Sequence, residues 1–331
     1  MNTDKKIAVI GGGSWATAMV KILANNVDSL FWWMRNEDAV QHIKETQHNP
    51  RYLSGARINT EIVEVSSDLK TICGQADVIV LAIPSAFLHS TLSALEIDLS
   101  KKVFFSAVKG IIPEYNQIVG EYIQEHYKVP LNNIGVITGP CHAEEVALER
   151  LSYLTVACED TSVAEFMAEK LRCRYIKATI SDDIYGTEYS AVLKNVVAVA
   201  AGIAHGLGYG DNFQSVLISN AIREIKRFVD TVHPITRDIK DSAYLGDLLV
   251  TAYSKFSRNR TFGTYIGKGY SVKAAQMDMN MIAEGYYAVK CIKEINKDYG
   301  VVMPITDAVY RMVYEKMSPR LELKLLSEVL D

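Results

Sequence analysis

The stretch Ile7-Ala-Val-Ile-Gly-Gly-Gly-Ser-Trp-Ala16 joins four apolar residues to a glycine triplet, and a segment with helical spacing of its apolar residues follows. Gly11, Gly13 and Ala16 match the spacing G-x-G-x-x-[GA] that loops binding dinucleotides use. The first glycine permits a tight turn, the second lets a pyrophosphate approach the backbone, and the small third residue keeps helix and sheet in contact. Because the motif lies between a strand and a helix, it favours a cofactor site over a glycine-rich turn without a ligand.

Strand-like and helix-like segments alternate outward from this stretch. Apolar runs recur at 30–34, 62–65, 78–83, 103–107 and 134–138, with helical spacing between them. This alternation predicts βαβ units and a parallel sheet. Two more strands are expected near 153–157 and 175–178, and from residue 183 the pattern is helical. The predicted fold class is therefore α/β, with a Rossmann-type dinucleotide-binding domain over residues 1–180 and an all-α domain over residues 181–331.

Composition narrows the possible functions. The 331 residues carry a formal net charge of −4, so there is no general basic field for nucleic acid. The five cysteines are scattered without C-x-x-C spacing, which is typical of reduced thiols and favours a cytoplasmic location. The polar start of the chain predicts no signal peptide. No spacing of His, Cys, Asp or Glu indicates a metal site.

One lysine stands in the most apolar part of the chain, the run AVLKNVVAVAAGIA at 191–204. Its apolar residues cover nearly every side of a helix, so the helix is expected to be buried, and its length and charge argue against a membrane span. An unpaired buried charge is costly. We therefore expect Lys194 to face a polar cavity as a proton donor, with Asp247 as its partner; the alternative is a lysine that reaches solvent along a surface groove.

Other polar candidates follow strands or begin helices. Lys109 ends the fifth strand, where ligands of open α/β sheets bind, although a solvated lysine is the alternative. Arg35 follows the second strand, where an acid would favour NAD, so it favours the 2′-phosphate of NADP(H), with NAD(H) as the alternative. Arg258 and Asn259 form either a donor-rich phosphate site or part of an exposed loop. Glu284 begins a predicted helix and either contacts the cofactor or caps that helix.

Taken in order, these segments resemble the bacterial NAD(P)-dependent glycerol-3-phosphate dehydrogenases over nearly the whole chain. The motifs that carry the resemblance are Gly11–Ala18, Ala107–Gly110, Gly139-Pro140, Ala191–Asn195, Gly246–Leu248, Ser257–Asn259, Phe262-Gly263 and Glu284–Tyr286. The resemblance implies a 6-phosphogluconate-dehydrogenase-like fold. It also implies reversible reduction of dihydroxyacetone phosphate to sn-glycerol 3-phosphate for phospholipid synthesis, with Lys194 as the catalytic acid and base.

The resemblance further implies two sets of contacts. The substrate set is Lys109, Gly139, Cys141, Lys194, Asp247, Ser257, Arg258 and Asn259. The cofactor set is Gly11, Gly13, Ser14, Trp15, Arg35, Lys109, Ala143, Arg258 and Glu284. The sequence departs from the family pattern at Ala16 for Gly, at Cys141-His142 for a hydroxyl residue followed by Phe, and at Asn220-Ala221 for Arg-Gly. A thiol is a poorer hydrogen-bond partner than a hydroxyl, whereas the backbone N–H of Cys141 can still serve.

Two other functions stay open at this point. A β-hydroxyacid or ketopantoate-type NADP dehydrogenase would also use a helix lysine but would need a site for a carboxylate. A non-catalytic NADP-binding sensor would need neither the lysine in an apolar helix nor the anion site at Ser257–Asn259. The expected ligands are NADP(H) and a small-molecule substrate, and the resemblance implies a homodimer.

Overall fold

The computed structural model describes residues 5–279 and 283–331. The chain divides into two compact units, the first formed by residues 1–108 and 119–184 and the second by residues 109–118 and 185–331. Residues 109–118 thus pack with the helical second unit, although they lie in the first half of the chain.

The first unit contains, within its described residues, an eight-stranded sheet in the order β3-β2-β1-β4-β5-β6-β7-β8. Its strands are β1 (Ile7–Ile10), β2 (Leu30–Trp33), β3 (Val63–Ser66), β4 (Val78–Leu81), β5 (Val103–Ser106), β6 (Ile134–Thr138), β7 (Ser152–Cys158) and β8 (Ile176–Ser181). Its helices are α1 (Ser14–Leu23), α2 (Glu37–Thr46), α3 (Leu69–Gln75), α4 (Leu88–Leu92), α5 (Val119–Tyr127), α6 (Ala143–Ala147) and α7 (Thr161–Leu171). The alternation of strands and helices predicted from the sequence is confirmed.

One pair of strands differs from the predicted parallel sheet. β7 runs antiparallel to β6, whereas the other neighbouring strands are parallel. The segment that joins β6 to β7 contains α6, which has 5 residues. Such a helix is only about 7.5 Å long, too short to return along the sheet as a crossover. The chain therefore reverses direction between β6 and β7.

The start of α2 shows how local sequence sets a helix boundary. Asn36 precedes the helix, and its side chain accepts a hydrogen bond from the backbone N–H of Ala39 at 2.7 Å. Glu37 and Asp38 occupy the first turn, where negative charge is favourable. These two acids therefore belong to the start of the helix.

The second unit is built from helices that continue the chain from α8. They are α8 (Ile184–Gly206), α9 (Asp211–Val232), α10 (Asp247–Tyr253), α11 (Arg258–Gly267), α12 (Val272–Asp278), α13 (Glu284–Tyr299), α14 (Pro304–Val313) and α15 (Pro319–Ser327). A single π-helical turn at Ser242–Gly246 leads into α10. No helix among the residues that the structure describes is long and apolar enough to cross a membrane.

The long helix α8 is buried within the second unit, as its apolar spacing predicted. Val196, Ala200 and Ala204 on this helix are fully buried. Its neighbour α11 was not predicted, because the segment Ser257–Arg260 was interpreted only as an anion site or an exposed loop. The loop alternative is wrong: Ser257 caps α11, and Phe262 within the helix is fully buried.

Candidate active site

The glycine-rich turn after β1 has the geometry that a dinucleotide phosphate requires. Gly11 has φ +140°, and a Cβ on it would lie 2.3 Å from the carbonyl oxygen of Ala82, so only glycine fits there. Gly13 faces open space, with nothing within 4 Å of a Cβ built on it. α1 begins after Gly13 without a side-chain cap and without an acid in its first turn. The N-terminus of this helix therefore fits an anionic group such as a pyrophosphate.

The other cofactor candidates of the first unit lie at the ends of strands. Arg35 follows β2, is exposed, and makes no ion pair within the described part of the chain. Gly139, Cys141 and Ala143 follow β6 and lead into α6, and all three are buried. Ser14 and Trp15 are the first two residues of α1. These residues therefore occupy the sheet edge at which open α/β sheets bind ligands.

The centre of the second unit's site is one carboxylate between two ammonium groups. Lys194 of α8 donates a hydrogen bond from Nζ to Oδ1 of Asp247, the first residue of α10. Lys109 approaches Oδ2 of the same carboxylate with its Nζ at 3.3 Å. The side chains of Lys194 and Asp247 are 4% and 1% exposed, while that of Lys109 is 20% exposed. The structure thus shows the predicted pair of Lys194 and Asp247, and it adds Lys109, which the sequence analysis selected separately.

Burial dominates the electrostatics of this cluster. Loss of water around the ammonium lowers the pKa of Lys194 to about 7, and the charge of Lys109 adds to that effect while Asp247 opposes it. Burial would raise the pKa of Asp247, but Lys109 and Lys194 outweigh burial and hold that pKa below its ordinary value. A lysine that titrates near neutrality beside a fixed carboxylate can both donate and accept a proton.

Two asparagines hold the backbone around these charges. Asn195, next to Lys194 on α8, donates from Nδ2 to the carbonyl oxygen of Lys109 at 2.7 Å. Asn259 accepts a hydrogen bond from the backbone N–H of Gly285 at 2.9 Å and so ties α11 to the start of α13. The sequence analysis did not select Asn195 as a site residue. The feature that could have indicated it is its place as a second polar residue in an otherwise apolar helix.

The remaining predicted residues of the second unit begin helices. Ser257 caps α11, because its Oγ accepts a hydrogen bond from the backbone N–H of Arg260 at 3.3 Å. Arg258 is the first residue of that helix and is exposed. Glu284 is the first residue of α13, after Ala283 at the N-cap position, and it is half-buried. Among the described residues, no group of three or more His, Cys, Asp and Glu side chains is arranged to hold a metal ion.

A Rossmann-type unit with a glycine-rich turn after its first strand is typical of dinucleotide-dependent dehydrogenases, and so is a helical unit with a buried, charge-paired lysine. The model for the N-terminal part of NAD-dependent glycerol-3-phosphate dehydrogenase matches residues 6–164, and the model for its C-terminal part matches residues 183–324. This chain belongs to the NAD-dependent glycerol-3-phosphate dehydrogenase family.

Individual relatives agree over nearly the full length. A glycerol-3-phosphate dehydrogenase [NAD(P)+] of Staphylococcus aureus is 35% identical over 315 residues, which cover 95% of each chain. The crystal structure of glycerol-3-phosphate dehydrogenase from Coxiella burnetii has a TM-score of 0.90 and 27% identity, and the match covers 99% of this chain and 100% of that one. The structure of glycerol-3-phosphate dehydrogenase from Saccharomyces cerevisiae has a TM-score of 0.83 and 25% identity, and the match covers 97% of this chain and 99% of that one.

Proposed function

We propose that this chain catalyses the reversible reduction of dihydroxyacetone phosphate to sn-glycerol 3-phosphate. The proposal rests on one observation: the Lys194 ammonium is buried, donates a hydrogen bond to Asp247 and has a pKa of about 7. A nicotinamide cofactor, when bound, would supply the hydride that reduces the carbonyl carbon. Lys194 donates its proton to the carbonyl oxygen, which becomes the hydroxyl of the product, and in the reverse direction the neutral amine takes that proton back.

The neighbours of Lys194 have separate roles in this proposal. Asp247 orients the ammonium through its hydrogen bond, and Lys109 lowers the pKa of Lys194 by charge repulsion. Arg258 and the amide of Asn259 hold the substrate phosphate, since a guanidinium and an amide offer several donors to its oxygens. The phosphate is remote from the reacting carbonyl, so its binding energy serves to orient the substrate.

The proposed cofactor contacts of the first unit are Gly11, Gly13, Ser14, Trp15 and Ala143. Glu284 is a further proposed contact in the second unit. Two observations support pyrophosphate binding at Gly11, Gly13 and Ser14. The start of α1 has no side-chain cap, and the space beside Gly13 is open. A cytoplasmic location and a homodimer stay predictions from the sequence.

We propose that the preferred cofactor is NADP(H), with NAD(H) also accepted. The exposed guanidinium of Arg35 at the end of β2 supports this preference, because it offers charge and donors to a 2′-phosphate. The carboxylate of Glu37 lies in the first turn of α2, where it accepts a hydrogen bond from Ser67. The test compares kcat/KM for NADPH with kcat/KM for NADH, in the wild type and in Arg35→Ala. The substitution should lower the ratio of the NADPH value to the NADH value.

Oxidation of NADPH by the purified chain, followed by absorbance, tests the function against its rivals. Dihydroxyacetone phosphate, unphosphorylated dihydroxyacetone and ketopantoate serve as substrates at matched concentrations. Rapid oxidation with dihydroxyacetone phosphate alone is the expected result. Preference for ketopantoate would instead assign a ketopantoate-type dehydrogenase, and NADPH binding without turnover of any ketone would favour the sensor.

A further inference from the structure

The carbonyl oxygens of the glycine triplet are all held by buried side chains from other parts of the first unit or from the next turn. Those of Gly11–Gly13 accept hydrogen bonds, in order, from Trp32 Nε1 at 2.6 Å, Asn49 Nδ2 at 3.1 Å and Thr17 Oγ1 at 3.0 Å. Trp32 and Thr17 are fully buried, and Asn49 is 1% exposed. Three consecutive backbone acceptors in a glycine-rich loop are therefore fixed from the protein side.

Asn49 is itself held in one orientation. Its Oδ1 accepts hydrogen bonds from the backbone N–H groups of Arg51 at 3.0 Å and Tyr52 at 3.1 Å. Its amide nitrogen donates both to the Gly12 carbonyl and to Thr17 Oγ1, the latter at 2.9 Å. Both amide hydrogens and the amide oxygen of Asn49 are thus used in hydrogen bonds. The Thr17 hydroxyl, which accepts from Asn49, in turn donates a hydrogen bond to the carbonyl oxygen of Gly13.

These bonds fix the direction of the loop's N–H groups. In a planar trans peptide the C=O and the following N–H point to opposite sides. When each carbonyl of Gly11–Gly13 points toward its buried donor, the N–H groups of residues 12, 13 and 14 each point away from that donor. Backbone N–H groups of successive residues can together bind an anion.

We propose that Trp32 and Asn49, with Thr17 as the link to Gly13, are positioning residues for the pyrophosphate of the dinucleotide. They prevent the flexible glycine peptides from turning a carbonyl oxygen toward the phosphates, so the binding site exists before the cofactor arrives. This inference rests on the proposed cofactor site, and it assigns to that site residues outside the glycine motif. The free energy that this positioning adds to cofactor binding corresponds to that of a few oriented hydrogen bonds.

The test measures binding without turnover. Isothermal titration of NADPH, ADP and adenosine compares the wild type with Asn49→Asp, Thr17→Val and Trp32→Phe. Asn49→Asp keeps the acceptor for Arg51 and Tyr52 but removes both donated bonds. We expect Kd for NADPH and ADP to rise roughly 10-fold or more for Asn49→Asp and about 3- to 10-fold for the other two variants, since one lost hydrogen bond costs about 1 kcal/mol. Adenosine has no phosphate, so its binding should stay unchanged.

A matched control is available in the same unit. Asn26 also donates to two backbone carbonyls, those of Lys170 and Arg172, but away from the glycine triplet. Asn26→Asp should leave Kd for NADPH unchanged. In steady-state kinetics the positioning variants should raise KM for the cofactor while KM for the second substrate and kcat at saturating cofactor stay near wild type.

The outcomes separate this inference from the proposed function. If the wild type binds neither NADPH nor ADP, the cofactor site itself is wrong. If it binds them and Asn49→Asp and Thr17→Val bind equally well, the positioning role is refuted. Equal loss of ADP and adenosine binding, together with a lower Tm, would show a general loss of folding and would also refute it; Thr17→Val, which keeps the side-chain shape, guards against that result.

Discussion

At the scale of single residues, Lys194 carries the proposed proton transfer. Lys194→Met keeps a long side chain but removes the proton, so kcat for reduction should fall by at least about 10²–10⁴-fold. Binding of NADPH should persist, because the glycine-rich turn belongs to the first unit. Initial rates and isothermal titration measure the two effects. Lys290→Met, at an exposed lysine of α13, is the control; turnover near wild type in Lys194→Met would remove this residue from the mechanism.

The lowered pKa of Lys194 predicts opposite pH dependence for the two directions. Reduction needs the ammonium, so its kcat/KM should fall as pH rises through about 7, the pKa that burial sets in the free enzyme. Oxidation needs the neutral amine, so its kcat/KM should rise over the same range. Lys109→Gln removes a charge that lowers the pKa of Lys194, and both profiles should therefore move to higher pH. Profiles that run in parallel, or that Lys109→Gln leaves in place, would contradict the assignment.

At the scale of elements, two helices of the second unit meet through their backbones. A Cβ on Gly263 of α11 would lie 2.1 Å from the carbonyl oxygen of Val199 on α8. A Cβ on Gly202 of α8 would lie 2.1 Å from the carbonyl oxygen of Arg260. This contact sets the separation between the helix that carries Lys194 and the helix that begins at Arg258.

Gly263→Ala should therefore lower the free energy of unfolding by about 1–3 kcal/mol or more, since backbone atoms cannot move aside as a side chain would. Activity should also fall, because α8 and α11 would be pushed apart. Gly74→Ala in α3 is the control: nothing lies within 4 Å of a Cβ there, so stability should stay the same or rise slightly. Denaturant unfolding of both variants measures the difference, and equal stability would exclude the close contact.

The elements also show how far the sequence predicts the fold. β1, α1 and α8 were predictable because strand and helix periods are strong in long apolar segments. α11 was not, since Gly263 and its polar neighbours weaken the helical pattern. The antiparallel β7 depends on the length of α6, which apolar spacing does not define to within a residue. Contacts such as Asn195 to Lys109, 86 residues apart, are set only by packing.

At the scale of the whole molecule, each unit contains part of the proposed site. The glycine-rich turn and Arg35 belong to the first unit, while Lys109, Lys194, Asp247 and Arg258 belong to the second. The segment 109–118 contributes to the second unit's core through Ile111 and Ile118, each 1% exposed. The charged residues of the proposed catalytic site, Lys109 among them, therefore all belong to the unit whose core contains Ile111 and Ile118.

The complete reaction should depend on the substrate's phosphate through Arg258. Unphosphorylated dihydroxyacetone is expected to have a far lower kcat/KM than dihydroxyacetone phosphate, because it lacks the group whose binding orients the carbonyl. Arg258→Gln should lower kcat/KM for the phosphorylated substrate by roughly 10- to 100-fold, the value of a charged hydrogen bond, and change that for dihydroxyacetone little. Initial rates at saturating NADPH keep any effect on the cofactor out of the comparison. Arg320→Gln, at an exposed arginine of α15, should behave as wild type. An equal loss with both substrates would place Arg258 elsewhere than on the phosphate.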